Sequence, residues 1–219
     1  MPAFIFDLDG TLADSVYQHV IAWHTALREC GLEIAMWRLH RKIGMSGALL
    51  LRAFADEAGR DFDDALKSRL EHLHTEHFAR LRGGIKAFPE VPELFADLQK
   101  RDLKFAIATS GDLKDVQPLL DLAHVPRGVP VISKKDAPNP KPDPALFLKA
   151  AEKLGSRSED TIVVGDSVWD MLAARRAQFL GIGLLTGGYG ESEMTGAGAF
   201  RVFADPAQLR RHLYEAGIP

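Results

Sequence analysis

Asp7 and Asp9 stand two residues apart where the apolar run 3–6 gives way to a turn containing Gly10 and Thr11. Thr109, Ser110 and Gly111 follow a second apolar run, 105–108. Lys141 lies in a proline-broken loop after a third run, 129–132, and Asp166 and Asp170 follow a fourth, 161–164. Carboxylates held close together repel one another and keep their protons unless a cation joins them. Ligation by carboxylates, a main-chain carbonyl and water suits Mg2+, which retains several waters and binds substrate phosphate. An ammonium and a hydroxyl beside that cation can receive a second anion. Together these groups fit phosphoryl transfer, in which catalysis is mostly positioning and neutralisation of charge. One aspartate can attack phosphorus. A second, two residues on, can protonate the leaving oxygen and later activate water.

Such groups meet only if the runs are strands of one sheet. The runs, with a fifth at 181–185, lack period-2 alternation, as strands buried on both faces of a parallel sheet do. Between them Val91, Leu94 and Leu98 keep helical spacing, as do Phe147, Ala150 and Leu154. The latter helix takes Asp143 as N-cap, Pro144 as first residue and Gly155 as its stop. Asp205-Pro206 opens a final helix in the same way. Alternating strands and helices predict an α/β fold with a doubly wound parallel sheet, in which ligands bind beyond the carboxyl ends of the strands. From Asp14 to about Gly84 no strand is predicted. Val16, Val20, Trp23 and Leu27 mark one amphipathic helix, and 47–59 and 63–81 read as others. The expected organisation is a Rossmann-like core of 1–14 and 85–219 with a helical cap of 15–84, hinged near Asp14–Ser15 and Gly83–Gly84.

Composition narrows the partners. The 219 residues carry a formal net charge of -3, with Lys and Arg scattered, so neither nucleic acid nor an acidic membrane surface is expected. Cys30 is the sole cysteine, which excludes an internal disulfide and fits a reducing compartment. The first residues read as a strand rather than a basic leader, and no apolar run is long enough to span a bilayer. A cytoplasmic monomer or homodimer acting on a small phosphorylated metabolite is the expectation.

The segments "DLDGT", "TSG", "KPDP" and "GDSVWD" together resemble the four motifs of the haloacid dehalogenase-like hydrolase superfamily, in the branch of phosphoglycolate phosphatases and β-phosphoglucomutase. That resemblance covers nearly the whole chain. It implies Asp7 as nucleophile and Asp9 as general acid/base, the main-chain carbonyl of Asp9 also reaching Mg2+. It implies Ser110 or Thr109 as the hydroxyl on the phosphoryl group, with Gly10 and Gly111 shaping the phosphate site and Thr11 bracing the loop. Lys141 would stabilise the nucleophile and the phosphoryl charge. Asp166 would bind Mg2+ with Asp7 and Asp9, and Asp170 would join directly or through water.

Each motif alone has a plainer reading: a turn for "DGT", a strand-to-helix loop for "TSG", helix starts for "KPDP" and "GDSVWD". Their order in one chain favours the functional reading. In the cap, His19, Arg41 and Lys42 are candidate substrate contacts. His72, His74 and His77 read as a solvated face, Trp23 and Trp37 as core, and "GGYG" (187–190) as a flexible loop near the site rim. Three rival functions remain in view. A sugar phosphomutase of the β-phosphoglucomutase kind shares the first half-reaction, but commonly has an acidic residue where this chain has Gly165. A dehalogenase would lack Asp9. A phospho-aspartate receiver, a non-enzymatic module, would lack the cap.

Overall fold

The computed structural model describes residues 2–59 and 61–216. In chain order, β1 (Ala3–Phe6) leads into four helices, α1 (Val16–Glu29), α2 (Met36–His40), α3 (Gly47–Ala58) and α4 (Asp64–Leu81). Then come α5 (Val91–Lys100), β2 (Lys104–Ala108), α6 (Leu113–Leu122), β3 (Val131–Ile132), α7 (Ala145–Leu154) and β4 (Thr161–Gly165). The chain closes with α8 (Val168–Arg176), β5 (Leu180–Leu184), α9 (Glu191–Ala197), β6 (Ala199–Phe203) and α10 (Pro206–Arg211). It forms two compact units, one of residues 1–14 and 86–219 and one of 15–85.

The first unit holds a six-stranded sheet in the order β3-β2-β1-β4-β5-β6, every neighbouring pair parallel. The chain winds outward from β1 to β3, then returns to β4 on the other side of β1, which makes the β1–β4 boundary the switch point. Alternation in β1 separates two cores. Phe4 and Phe6 join Phe95 and Phe105 in an aromatic cluster with centroid spacings of 5.1–6.4 Å. Ala3 and Ile5 point the other way, into a core with Phe147, Ala150 and Ala174.

Local details move several expected boundaries. Pro130 has no N–H to donate, so β3 begins only at Val131, although the Pro130 carbonyl still accepts from Ile107 N–H at 2.9 Å. Pro144 occupies the N-cap position of α7 rather than its first residue; Asp143 Oδ1 accepts from Ala145 N–H at 2.9 Å and closes the helix from one place further out. β6 was not expected. It is an edge strand whose Phe200 and Arg201 are exposed, so it lacks the apolar continuity of a strand covered on both faces.

The second unit is helical, with Val20, Trp23, Leu27, Phe54 and Leu70 in its core. Trp37 departs from its expected core place and is 69% exposed. The short α2 buries Leu39, and a residue two positions earlier faces the opposite way. The histidines of α4 divide likewise. His72 is exposed, whereas His74 stacks on Trp23 at 4.2 Å and His77 Nε2 lies 3.0 Å from Glu29 Oε1, because positions four and seven after the buried Leu70 face α1. Among the described residues, no helix is long and apolar enough to cross a membrane.

The chain passes between units at two places tied side by side within the first unit. Ala13 and Ala87 form an antiparallel bridge, Asp14 N–H donates to Lys86 O at 2.9 Å, and Phe88 N–H donates to Leu12 O at 3.0 Å. Gly83 and Gly84 close a single turn of 3-10 helix, Arg82–Gly84, just before the return crossing. Neither has a left-handed backbone, and a Cβ on either would meet nothing within 4 Å. Gly83→Ala should therefore raise stability by about 0.4–1 kcal/mol through the unfolded chain. Urea unfolding measures this, and a loss of stability would show that the turn uses conformations only glycine has.

Candidate active site

β1 ends at Phe6, yet Asp7 N–H still donates to Val164 O at 2.9 Å, so Asp7 leaves the sheet in register with the end of β4. The chain then folds back at once. Leu8 O accepts from Leu12 and Ala13 N–H, and Gly10 N–H donates to Ala13 O at 2.7 Å. Gly10 takes φ 78°, in the left-handed region where a Cβ is penalised. This turn holds Asp7 at 4% exposure under the sheet's carboxyl edge.

Lys141 comes from the loop after β3, and its side chain is 1% exposed. Its Nζ lies 2.6 Å from Asp7 Oδ1 and 2.7 Å from Asp170 Oδ1, with the Phe147 ring 5.2 Å away. Asp170 sits in the first turn of α8. Its Oδ2 accepts from Ser167 N–H at 3.1 Å and Ser167 Oγ at 2.6 Å, while its own N–H donates back to Ser167 Oγ at 3.3 Å. This capping box fixes the carboxylate that fixes the lysine. Asp166 follows β4 directly, and Thr11 Oγ1 donates to its Oδ1 at 3.0 Å. Asp7, Asp166 and Asp170 each offer a carboxylate oxygen, and those oxygens lie within 4.8 Å of one another.

Burial dominates the electrostatics. It pushes Asp7 up from 3.8 to about 7, Asp170 adding to the rise while the Lys141 ammonium opposes it. Asp166 is held well above the usual carboxylate range by burial, then by the charges of Asp170 and Asp7. For Lys141 burial works against the ammonium, but Asp170 and Asp7 outweigh it and raise the pKa. Three buried carboxylates around one ammonium thus suit a further cation. The donor set is all oxygen, as a hard divalent ion such as Mg2+ requires. Asp7 and Asp166 are the residues fitted to hold it. Both Asp170 oxygens already have partners in Ser167 and Lys141, which suits Asp170 better to placing the lysine than to direct ligation.

The other anticipated residues fall into place around this centre or apart from it. Asp9 is half-buried; its charge reaches Asp7, but its carboxylate lies outside the cluster of three. Thr109 is fully buried, and its Oγ1 accepts from Gly111 N–H at 3.1 Å, bracing the turn that leaves Ser110 half-buried. A Cβ at Gly111 would fall within 3.0 Å of Val116. Lys134 and Lys135 pair with Asp112. His19, Arg41 and Lys42 belong to the helical unit. There His19 stacks on Phe78 at 3.9 Å and its Nδ1 lies 3.0 Å from His74 Nε2, while Lys42 Nζ lies 3.6 Å from Glu57.

The segment "GGYG" is not a loose loop. Gly187 and Tyr189 are buried, Thr186 Oγ1 donates to Gly10 O, and Gly187 packs against Asp166. Sequence reasoning missed this, and also missed Ser167 as the partner of Asp170. The available signals were the glycine pair just after an apolar run and the Ser-x-x-Asp spacing of a capping box.

A family model described as haloacid dehalogenase-like hydrolase matches residues 4–183. A phosphoglycolate phosphatase of Pseudomonas syringae pv. syringae is 34% identical over 177 residues, 79% of this chain and 65% of that protein. The chain thus spans just under two thirds of this relative. Hexitol phosphatase A of Escherichia coli is 32% identical over 178 residues, 80% of this chain and 78% of its own. Among solved structures, a hydrolase from Pseudomonas syringae superposes with a TM-score of 0.94 at 45% identity, covering 98% of this chain and 99% of that one.

The raised pKa of Asp7 has a consequence for stability in protein stripped of divalent ions. Below about pH 4 the carboxyl is protonated both folded and unfolded, and its contribution is fully present. Between about pH 4 and 7 the unfolded chain ionises while the folded one resists, so stability falls as pH rises, by on the order of 4 kcal/mol across the window. Asp7→Asn should flatten that decline in chelator-treated protein. Equal slopes for wild type and variant in urea unfolding at stepped pH would contradict the assignment.

Proposed function

Because this chain belongs to the haloacid dehalogenase-like hydrolase family, we propose that it is a Mg2+-dependent phosphatase of a small phosphorylated metabolite, working through an aspartyl-phosphate on Asp7. The observation that carries the reading is the buried Asp7 at the switch point of the sheet, with the Lys141 ammonium 2.6 Å away and the carboxylates of Asp166 and Asp170 beside it. Bound Mg2+ supplies charge neutralisation for the phosphoryl oxygens and lowers the proton affinity of Asp7.

Asp7 attacks phosphorus with its carboxylate while Lys141 offsets negative charge on the equatorial oxygens. Ser110, in the turn braced by Thr109, donates its hydroxyl to a phosphoryl oxygen, and Gly10 and Gly111 keep the chain close to that group. Asp9 gives its proton to the departing alkoxide. Once the alcohol has left, Asp9 takes a proton from water, and that water attacks the phosphorus of the aspartyl-phosphate, releasing inorganic phosphate and restoring Asp7. The helical unit is assigned the role of a cap that selects the substrate. The two curated relatives carry the names of different substrates, so we place this one no finer than phosphoglycolate-like or sugar-phosphate-like.

Gly165 weighs against the phosphomutase alternative. A Cβ there would fall within 3.0 Å of the Cβ, Cγ and Oδ2 of Asp170, so an acidic residue at 165 would displace the carboxylate that holds Lys141. Phosphate release over a panel of phosphorylated metabolites is the central test. Activity should vanish with EDTA and return with Mg2+, and only poorly with Ca2+, whose looser coordination disturbs in-line geometry. Asp7→Asn should abolish turnover, and Asp9→Asn should cost roughly 100- to 10,000-fold, less with an aryl phosphate that needs little protonation. Near-normal turnover by Asp7→Asn would remove it from the nucleophile role. Glucose 6-phosphate formed from β-glucose 1-phosphate faster than free phosphate appears would promote the mutase.

A further inference from the structure

The main chain just after β5 does more than connect. Gly187 is buried against the end of β4, where a Cβ would come closer than 3.0 Å to three atoms of Asp166: Oδ2, Cγ and the carbonyl oxygen. The neighbouring Thr186 donates its hydroxyl to Gly10 O at 2.5 Å, which anchors this turn to the loop that carries Asp7 and Asp9. On its other oxygen Asp166 receives Thr11 Oγ1 at 3.0 Å, again from that loop. The Asp166 carboxylate is therefore confined on two sides: Oδ1 accepts from a hydroxyl of the β1 loop, and on the side of Oδ2 the space is bounded by Gly187, in a β5 turn that is itself fastened to the β1 loop and leaves no room for a Cβ. Leu185–Gly187 forms a turn of 3-10 helix ending on Gly188 at φ 80°, which gives the segment a fixed shape.

We infer that Thr186 and Gly187 are positioning residues of the metal site: they set the direction of the Asp166 carboxylate, so that the β5 turn governs divalent-cation affinity without supplying a ligand. The inference rests on the proposed function, since it presumes that Asp166 binds the cation. Atoms that orient a ligand from behind commonly change metal affinity by 10- to 100-fold when they are disturbed. A methyl group at 187 must move either the carboxylate or the turn, because the carbonyl of Asp166 belongs to the sheet edge and yields little. Loss of the Thr186 hydroxyl leaves the contact in place but frees the turn.

The test reads metal binding directly. Mn2+ is titrated into chelator-treated protein, and the free ion is followed by its electron paramagnetic resonance signal, with unfolding of the metal-free protein measured alongside. Gly187→Ala should weaken Mn2+ binding at least tenfold, Thr186→Val should weaken it several-fold, and Thr186→Ser, which keeps the hydroxyl, should bind as wild type does. In turnover assays the Mg2+ concentration for half-maximal rate should rise in parallel, with the rate at saturating Mg2+ much less affected. Wild-type affinity in both Gly187→Ala and Thr186→Val would overturn this inference alone. Weak binding by Thr186→Ser equal to that of Thr186→Val would also overturn it. Absence of Mn2+ binding by the wild type would overturn the proposed function, and the inference with it.

Discussion

An ammonium buried to 1% exposure between two carboxylates is the interaction around which this site is built. Removing such a charge from water costs several kcal/mol, and only close partners on more than one side offset that cost. Lys141 finds them in Asp7, from the first strand, and Asp170, from the first turn of α8, residues 134 and 29 positions away along the chain. Neither carboxylate is free to follow the lysine. Asp7 is held by the hydrogen bond of its backbone N–H to Val164 O at the end of β4, and Asp170 by a reciprocal cap with Ser167. The charge pattern therefore rests on backbone register and one capping box, which are stiff, rather than on flexible surface pairs.

The sheet explains why so few residues suffice. Because β1 lies between β2 and β4, the residues that follow these strands emerge side by side, and the loop after β3 has only to reach across one strand. Gly165 and Gly187 complete the packing. Each is a place where a side chain would strike a carboxylate, Asp170 in one case and Asp166 in the other. The acids are thus confined as much by what is missing from neighbouring backbone as by the hydrogen bonds they accept. Confinement keeps Asp7 and Asp166 short of water and explains their reluctance to ionise without a cation.

Much of this was legible in the sequence because the chemistry sits at strand ends, and strands covered on both faces announce themselves as unbroken apolar runs. Asp7, Lys141, Asp166 and Asp170 were singled out by position after such runs, and the structure brings them together. What escaped notice depended on features that leave little pattern. The edge strand β6 offers no unbroken apolar run, because Phe200 and Arg201 in it meet solvent. Trp37 looked like core because tryptophan usually is, and a five-residue helix gives too few positions to read a face. Gly187 looked like slack because glycine marks both loose loops and tight contacts, and only the position of Asp166 tells the two apart. His74 and His77 looked solvated because α4 is polar overall, whereas both face α1, His74 meeting Trp23 and His19, and His77 meeting Glu29.

The paired crossings at Ala13 and Ala87 have a consequence for how such a molecule diversifies. Seventy-one residues leave the sheet-bearing unit and return to it through neighbouring, hydrogen-bonded segments, so the two ends of the insert lie about one strand spacing apart, roughly 5 Å. Excision there leaves a gap that a short turn can close, and an insert of another size or fold needs only its own two ends close together to be spliced in. The catalytic lineage is in this sense a socket: the strand ends and their acids can be inherited unchanged while the inserted module is exchanged, lengthened or lost.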